Sequence, residues 1–145
     1  MLFRSESQFG NPRRLSLGTD ANRMSMLLSV LHRHAGIQLA DQDVFVNVVG
    51  GVKIDGTSSD VPLILALLSS FTSRPIERTC IAFGEIGLTG EIRPVQSGLE
   101  RLNEAEKQGF TKAIIPADNA PHNKKKIGNM EIVAVSNIQQ LVELV

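Results

Sequence analysis

Apolar residues recur at helical spacing in 20–34, where Met24, Leu27, Leu28 and Leu31 fall on one face. The spacing predicts an amphipathic helix, with Asp20 placed to cap its N-terminus. Just upstream, "RRLSLGT" (13–19) alternates and reads as a strand. Downstream, "DVFVNVVGGVKI" (43–54) reads as a long β segment whose Gly50-Gly51 pair predicts a bulge or kink. "DVPLILALLSSF" (60–71) is apolar on nearly every face, which is the pattern of a buried helix.

The second half continues the mixture. "RTCIAFGEIGLTGEIRPV" (78–95) reads as a buried strand, a Gly-rich turn and a second short strand. "GLERLNEAEKQG" (98–109) is an amphipathic helix with Gly109 as its stop. "KAIIP" (112–116) is a strand ended by proline, "PHNKKKIG" (121–128) a polar loop, "MEIVAV" (130–135) a strand and "SNIQQLVELV" (136–145) a capped helix. Strands and helices mix without a strict βαβ rhythm, so the class is α+β or a loosely wound α/β. There is no internal repeat and no linker.

The 145 residues make one ordinary domain, and a hydrophobic content of 42% opposes disorder. Fifteen basic residues balance fifteen acidic ones, so net charge gives no argument for nucleic acid or membrane. No apolar run approaches the ~18 residues of a membrane span. The first residues lack the apolar core of a signal peptide, and the single cysteine, Cys80, sits in an apolar run as a core thiol. A cytoplasmic setting is the expectation. Aromatic residues at 4%, without Trp or Tyr, oppose a base-stacking platform.

The stretch "KIDGTSSDVP" (53–62) poses the main chemical question. Ser58, Ser59 and Asp60 stand before an apolar run, where such residues usually cap a helix, and Pro62 suits its first turn. A serine at a helix N-terminus could alternatively act as a nucleophile, with backbone N–H groups stabilising an oxyanion. It would need a base. His32, His34, His122 and Lys53 have no spacing that ties them to Ser58.

Basic residues are unevenly placed. Arg13, Arg14 and the run Lys124-Lys125-Lys126 are candidates for contacting DNA phosphates, against the simpler reading of a solvated surface. Adjacent strand residues point to opposite faces, so one of Arg13 and Arg14 can be structural. Arg23 is a candidate for pairing with a carboxylate, within the chain or across a subunit boundary. The "GLTG" turn matches no phosphate-loop or dinucleotide pattern and reads as backbone geometry. Glu85 and Glu91 flank it, but two glutamates without further ligands are a weak signal for acid–base or metal chemistry.

The segment "FGEIGLTGEIRPVQSGLERLNEAEKQGFTKAIIP" (83–116) resembles the protease domain of the Lon family. In that family the nucleophilic serine lies in a D-G-P-S-A-G motif, which "DGTSSD" matches in part. Asp55 and Gly56 agree, Thr57 replaces the proline, Ser58 takes the nucleophile position, and Ser59 and Asp60 replace the last two residues. The family's general-base lysine, in a K-x-x-x-A pattern, falls on Arg101 of "RLNEA". A guanidinium cannot be deprotonated in a protein and cannot take the serine proton. The resemblance thus implies a degenerate dyad, Ser58 and Arg101.

A closer resemblance runs over 7–145. "NPRRLSLGTDANRMSMLLSVLHRHAGIQLADQDVFVNVVGGVKI", "FGEIGLTGEIRPV" and "RLNEAEKQGF" are similar to the C-terminal domain of the bacterial RadA (Sms) family of DNA repair and recombination proteins. It implies an α+β fold of the Lon-protease-like, ribosomal protein S5 domain 2-like type, with residues 1–6 as a tail outside it. It also implies a catalytically inactive oligomerising scaffold, in a parent similar to a hexameric ATP-dependent branch-migration helicase. ATP and zinc would then be bound in other parts of that parent, with no cofactor or metal in this domain. Partners would be further copies in a ring, DNA and recombination proteins, with no membrane. A Ser58-dependent peptidase, or a protein-binding scaffold without DNA contact, are the alternatives.

Overall fold

The computed structural model describes residues 2–6 (backbone only), 11–39, 41–48 and 56–145. Helix α1, Ala21–Ala35, begins where the pattern places it. The Asp20 carboxylate accepts hydrogen bonds from the Asn22 and Arg23 backbone N–H groups and caps it. Its apolar stripe, Met24, Leu27, Leu28, Val30 and Leu31, is buried.

A three-stranded sheet lies against this helix. β2 (Arg14–Leu17) runs parallel to β3 (Gln42–Asn47), so the helix is the crossover between them, and β1 (Leu2–Glu6) pairs antiparallel on the other side of β3. The sequence reading sets residues 1–6 outside the domain, whereas Leu2–Glu6 is an edge strand within it. Five residues of mixed polarity carry no pattern of their own; the strand is defined by its distant partner. The remainder of the predicted 43–54 segment, including Gly50-Gly51 and Lys53, extends into 49–55 and lies outside the described residues, as does Asp55.

Helix α2, Asp60–Thr72, buries Val61, Ile64, Leu65, Leu67 and Leu68. Each such side chain contributes roughly 1.5–3 kcal/mol relative to exposure, against about 1 kcal/mol for a side-chain cap. Burial, not capping, therefore holds this helix. Indeed Ser59, at its cap position, makes no capping hydrogen bond.

The second half forms a four-stranded sheet in the order β4-β7-β9-β8. β4 (Cys80–Ala82), β7 (Lys112–Pro116) and β9 (Met130–Val135) are parallel, and β8 (Lys126–Ile127) closes antiparallel onto β9. The predicted polar loop thus ends in a short strand. Between β4 and β7 stand the hairpin strands β5 (Glu85–Ile86) and β6 (Ile92–Arg93) and helix α3 (Gly98–Lys107). Gly109 follows that helix with φ 88°, as its reading as a stop requires. Helix α4, Ile138–Glu143, is capped by the Asn137 side chain, which accepts from the Gln140 N–H.

Two apolar clusters organise the domain. One gathers α1, α2, α4, β3 and the β5–β6 hairpin. The other packs Leu102 and Ala105 of α3 against Ala113, Ile115, Met130 and Ile132 of the sheet. The architecture is mixed α+β. Among the described residues no helix is long and apolar enough to cross a membrane.

Candidate functional site

The start of α2 is the place to ask whether Ser58 can do chemistry. A tetrahedral oxyanion there would need free backbone N–H groups. The Asp60 N–H donates to the Thr57 carbonyl at 3.1 Å, the Val61 N–H to the Gly84 carbonyl at 3.1 Å, and the Leu63 N–H to the Ser59 carbonyl at 3.0 Å. Pro62 has no N–H. The first turn of the helix therefore offers no free donor from 60 to 63. In return the Gly84 N–H donates to the Ser58 carbonyl at 2.9 Å, so a β-bridge latches this segment to the strand end at Phe83–Gly84.

Arg101, on α3, contacts the residue next to Gly84. Its guanidinium carbon lies 5.8 Å from the centroid of the Phe83 ring, and its Nε donates to the Gln96 carbonyl at 3.2 Å. The two positions singled out by the Lon-family resemblance thus attach to adjacent residues, Ser58 to Gly84 and Arg101 to Phe83.

Asp60 has a role that the sequence reading missed. It is 1% exposed and accepts from the Arg23 guanidinium in a two-point pair, Nε to Oδ1 at 3.0 Å and Nη2 to Oδ2. Oδ2 also accepts from the Ile86 N–H at 2.9 Å, and Arg23 donates to the Ile86 carbonyl at 3.2 Å. Glu85 stands 4.0 Å from the same guanidinium. The hydrogen bond with Asp60, followed by the charges of Asp60 and Glu85, raises the Arg23 pKa above its ordinary value, against the opposing effect of partial burial. Of the two partners open to Arg23 from the sequence, the one within the chain is present. The signal was a single carboxylate heading an apolar run, but its arginine lies in another helix.

The hairpin beyond Glu85 is a charged surface feature. Glu91 accepts from the Thr89 N–H at 3.1 Å, from the Thr89 hydroxyl, and from Arg93 at 3.0 and 2.6 Å. These contacts, the Thr89 hydroxyl first, hold its carboxyl down at about 2. The "GLTG" turn closes with Gly90 N–H donating to the Gly87 carbonyl at 3.0 Å. Glu85 and Glu91 are both engaged by arginines. Among the described residues no group of three His, Cys, Asp or Glu could hold a metal.

The basic candidates separate. Arg13 is a structural partner of buried Asp43: its N–H donates at 2.7 Å, and its Nε and Nη2 donate at 3.3 and 3.1 Å. The backbone hydrogen bond first, then the guanidinium, lowers the Asp43 pKa despite burial. Arg14 instead donates to the carbonyls of Leu39, at 2.6 Å, and Gln42. Lys124 and Lys125 are exposed in the loop before β8, and Lys126 starts that strand. Arg14 and the lysine run lie on different elements. Cys80, half-buried, has its thiol pKa raised by burial and is not activated.

A family model described as subunit ChlI of Mg-chelatase matches residues 20–119. The chain belongs to this family. Its relatives carry the name DNA repair protein RadA, as the sequence resemblance implied. The RadA protein of Haemophilus influenzae is 54% identical over 91% of the chain and 28% of that protein. That of Escherichia coli is 52% identical over 95% of the chain and 30% of that protein. That of Bacillus subtilis is 40% identical over 94% of the chain and 30% of that protein. The chain therefore spans less than a third of the length of the RadA relatives it matches.

Proposed function

We propose that the chain is a catalytically inactive, Lon-protease-like scaffold domain of a RadA-type DNA repair and recombination ATPase. The observation that carries this reading is the start of α2, where the N–H groups of Asp60, Val61 and Leu63 are all bonded within the protein. The residue at the general-base position agrees with it. Arg101 is a guanidinium stacked on Phe83, and a guanidinium accepts no proton. ATP hydrolysis and zinc binding belong, in this reading, to other segments of the longer protein. The domain contributes to a ring, a hexamer in the family resemblance, and places basic side chains toward DNA.

Two experiments test it. Peptide hydrolysis by the wild type and by Ser58→Ala should be equal and at background; a Ser58-dependent rate would overturn the inactive scaffold. Titration of the chain into labelled single- and double-stranded DNA at low and high salt should give binding that weakens steeply with salt. Absence of binding at low salt would remove DNA contact from the domain's role.

A further inference from the structure

The cavity between β2 and α1 has about 310 Å³ of free volume and is lined by Arg14, Ser25, Leu28, Ser29, His32 and Leu39. Its floor is apolar: Leu28 is 9% and Leu39 5% exposed. Its rim is polar and donor-rich. Ser25, Ser29 and His32 follow one another at successive turns on one exposed stripe of the helix. Arg14 faces them from the strand.

Arg14 is held in place by backbone carbonyls, and its charge also acts on the buried Asp43 carboxylate. Its Nη1 donates to the Gln42 and Arg13 carbonyls, and its Nη2 to the Leu39 carbonyl at 2.6 Å. Carbonyls fix the fork but do not cancel its charge. The contacts described leave Nε–H and one N–H of Nη2 for a ligand. The nearby buried carboxylate, Asp43, is taken up by three hydrogen bonds from Arg13. Asp41, a further carboxylate among the described residues, is exposed and accepts from the Gln42 side chain at 3.5 Å. A fixed guanidinium with N–H groups to spare, facing an imidazole and the Ser25 hydroxyl, is a donor set for a tetrahedral oxyanion.

We infer that this groove between Arg14 and the Ser25–Ser29–His32 stripe binds a phosphate group. Its source is either a backbone phosphodiester of DNA, which rests on the proposed DNA contact, or free phosphate. Ser25 brings a hydroxyl donor from the helix, Ser29 lines the groove while its own hydroxyl donates to the Ser25 carbonyl at 3.0 Å, and Arg14 supplies the charge. The groove is distinct from the Ser58–Arg101 locus and from the lysine run.

The test follows backbone amide shifts of the chain by NMR during separate titrations with inorganic phosphate and a single-stranded oligodeoxythymidine. Both are repeated on Ser25→Glu, which puts a negative charge on an exposed helix position, and on His32→Ala. Phosphate is expected to shift the amides of residues 25–32, with at least a tenfold weaker response in Ser25→Glu. If the oligonucleotide shifts the same amides, the groove holds a phosphodiester. If phosphate does so and the oligonucleotide binds nowhere, the groove takes free phosphate and the DNA reading fails alone. If the oligonucleotide binds but leaves these amides unmoved, and phosphate does too, the groove inference falls and DNA contact stands. Equal responses in wild type and Ser25→Glu would overturn it as well.

Discussion

Arg23 in the first turn of α1 and Asp60 at the head of α2 form a two-point ion pair that ties the two helix starts together and reaches the hairpin at Ile86. The two ends of the pair are unequal. The Asp60 side chain is 2% exposed and the Arg23 side chain 25%. Removing the arginine strands a buried carboxylate, whereas removing the carboxylate leaves a guanidinium that still has water and Glu85. Arg23→Ala is therefore expected to cost about 3–5 kcal/mol. Asp60→Asn should cost less, because an amide still offers the Ile86 N–H an acceptor. Urea unfolding of both variants checks the order; an equal or reversed ranking would refute the asymmetry.

The latch at Phe83–Gly84 makes a second prediction. Gly84 has φ 150°, and a Cβ there would sit 2.7 Å from Cγ2 of Val61 and 3.1 Å from Cγ of Pro116. Gly84→Ala must push α2 away from the strand end that holds Ser58, at a cost of roughly 1–3 kcal/mol. Thermal melting should show the loss. Hydrogen exchange should show faster exchange at Val61, whose N–H donates to the Gly84 carbonyl.

The dyad positions yield a prediction about chemistry. Arg101→Lys replaces a group that cannot accept a proton by one that can, once desolvated. Hydrolysis of a peptide substrate by this variant is nevertheless expected to stay at background. The N–H groups of Asp60, Val61 and Leu63 remain bonded within the protein, so the first turn of α2 offers the oxyanion no donor from 60 to 63. A Ser58-dependent rate in Arg101→Lys would show that this helix start can open.

Periodicity made α1, α2 and α3 legible, because each buries one face or nearly all of itself. Asp20 was legible as a cap because capping is local. Asp60 was not: beside Ser58 and Ser59 it looks like a third capping residue, and only the tertiary approach of Arg23 makes it an ion-pair partner. Arg13 and Arg14 are indistinguishable in sequence. Strand alternation sends them to different surroundings, Arg13 to Asp43 and Arg14 to backbone carbonyls. β1 was missed for the same reason, since its partner β3 is far along the chain.

Glu91 gives a pH dependence. Its carboxyl lies at about 2, below an ordinary value near 4.5, through its contacts with Thr89 and Arg93. A depressed folded value stabilises the protein above the unfolded pKa, and that gain fades as pH falls through the folded one. Arg93 is 55% exposed at its side chain, so solvent screening keeps the gain below about 1 kcal/mol. The stability difference between wild type and Glu91→Gln should be constant near neutrality and shrink as pH falls from 4.5 toward about 2. A difference that grows on acidification would have the wrong sign.

The lysine run is expected to behave unequally toward DNA. Lys126 lies opposite Glu131 in the antiparallel β8–β9 pair, where a cross-strand carboxylate offsets part of its charge. Lys124 and Lys125 precede the strand and are exposed. If all three contact phosphates, replacing them with glutamine should lower the slope of log K against log salt by about 2–3. Among single variants, Lys124→Gln and Lys125→Gln should weaken binding more than Lys126→Gln. Fluorescence anisotropy with one labelled oligonucleotide across a salt series measures both quantities. An unchanged slope in the triple variant would mean that the run is only a solvated surface, and would leave Arg13 and Arg14 as the remaining candidates for phosphate.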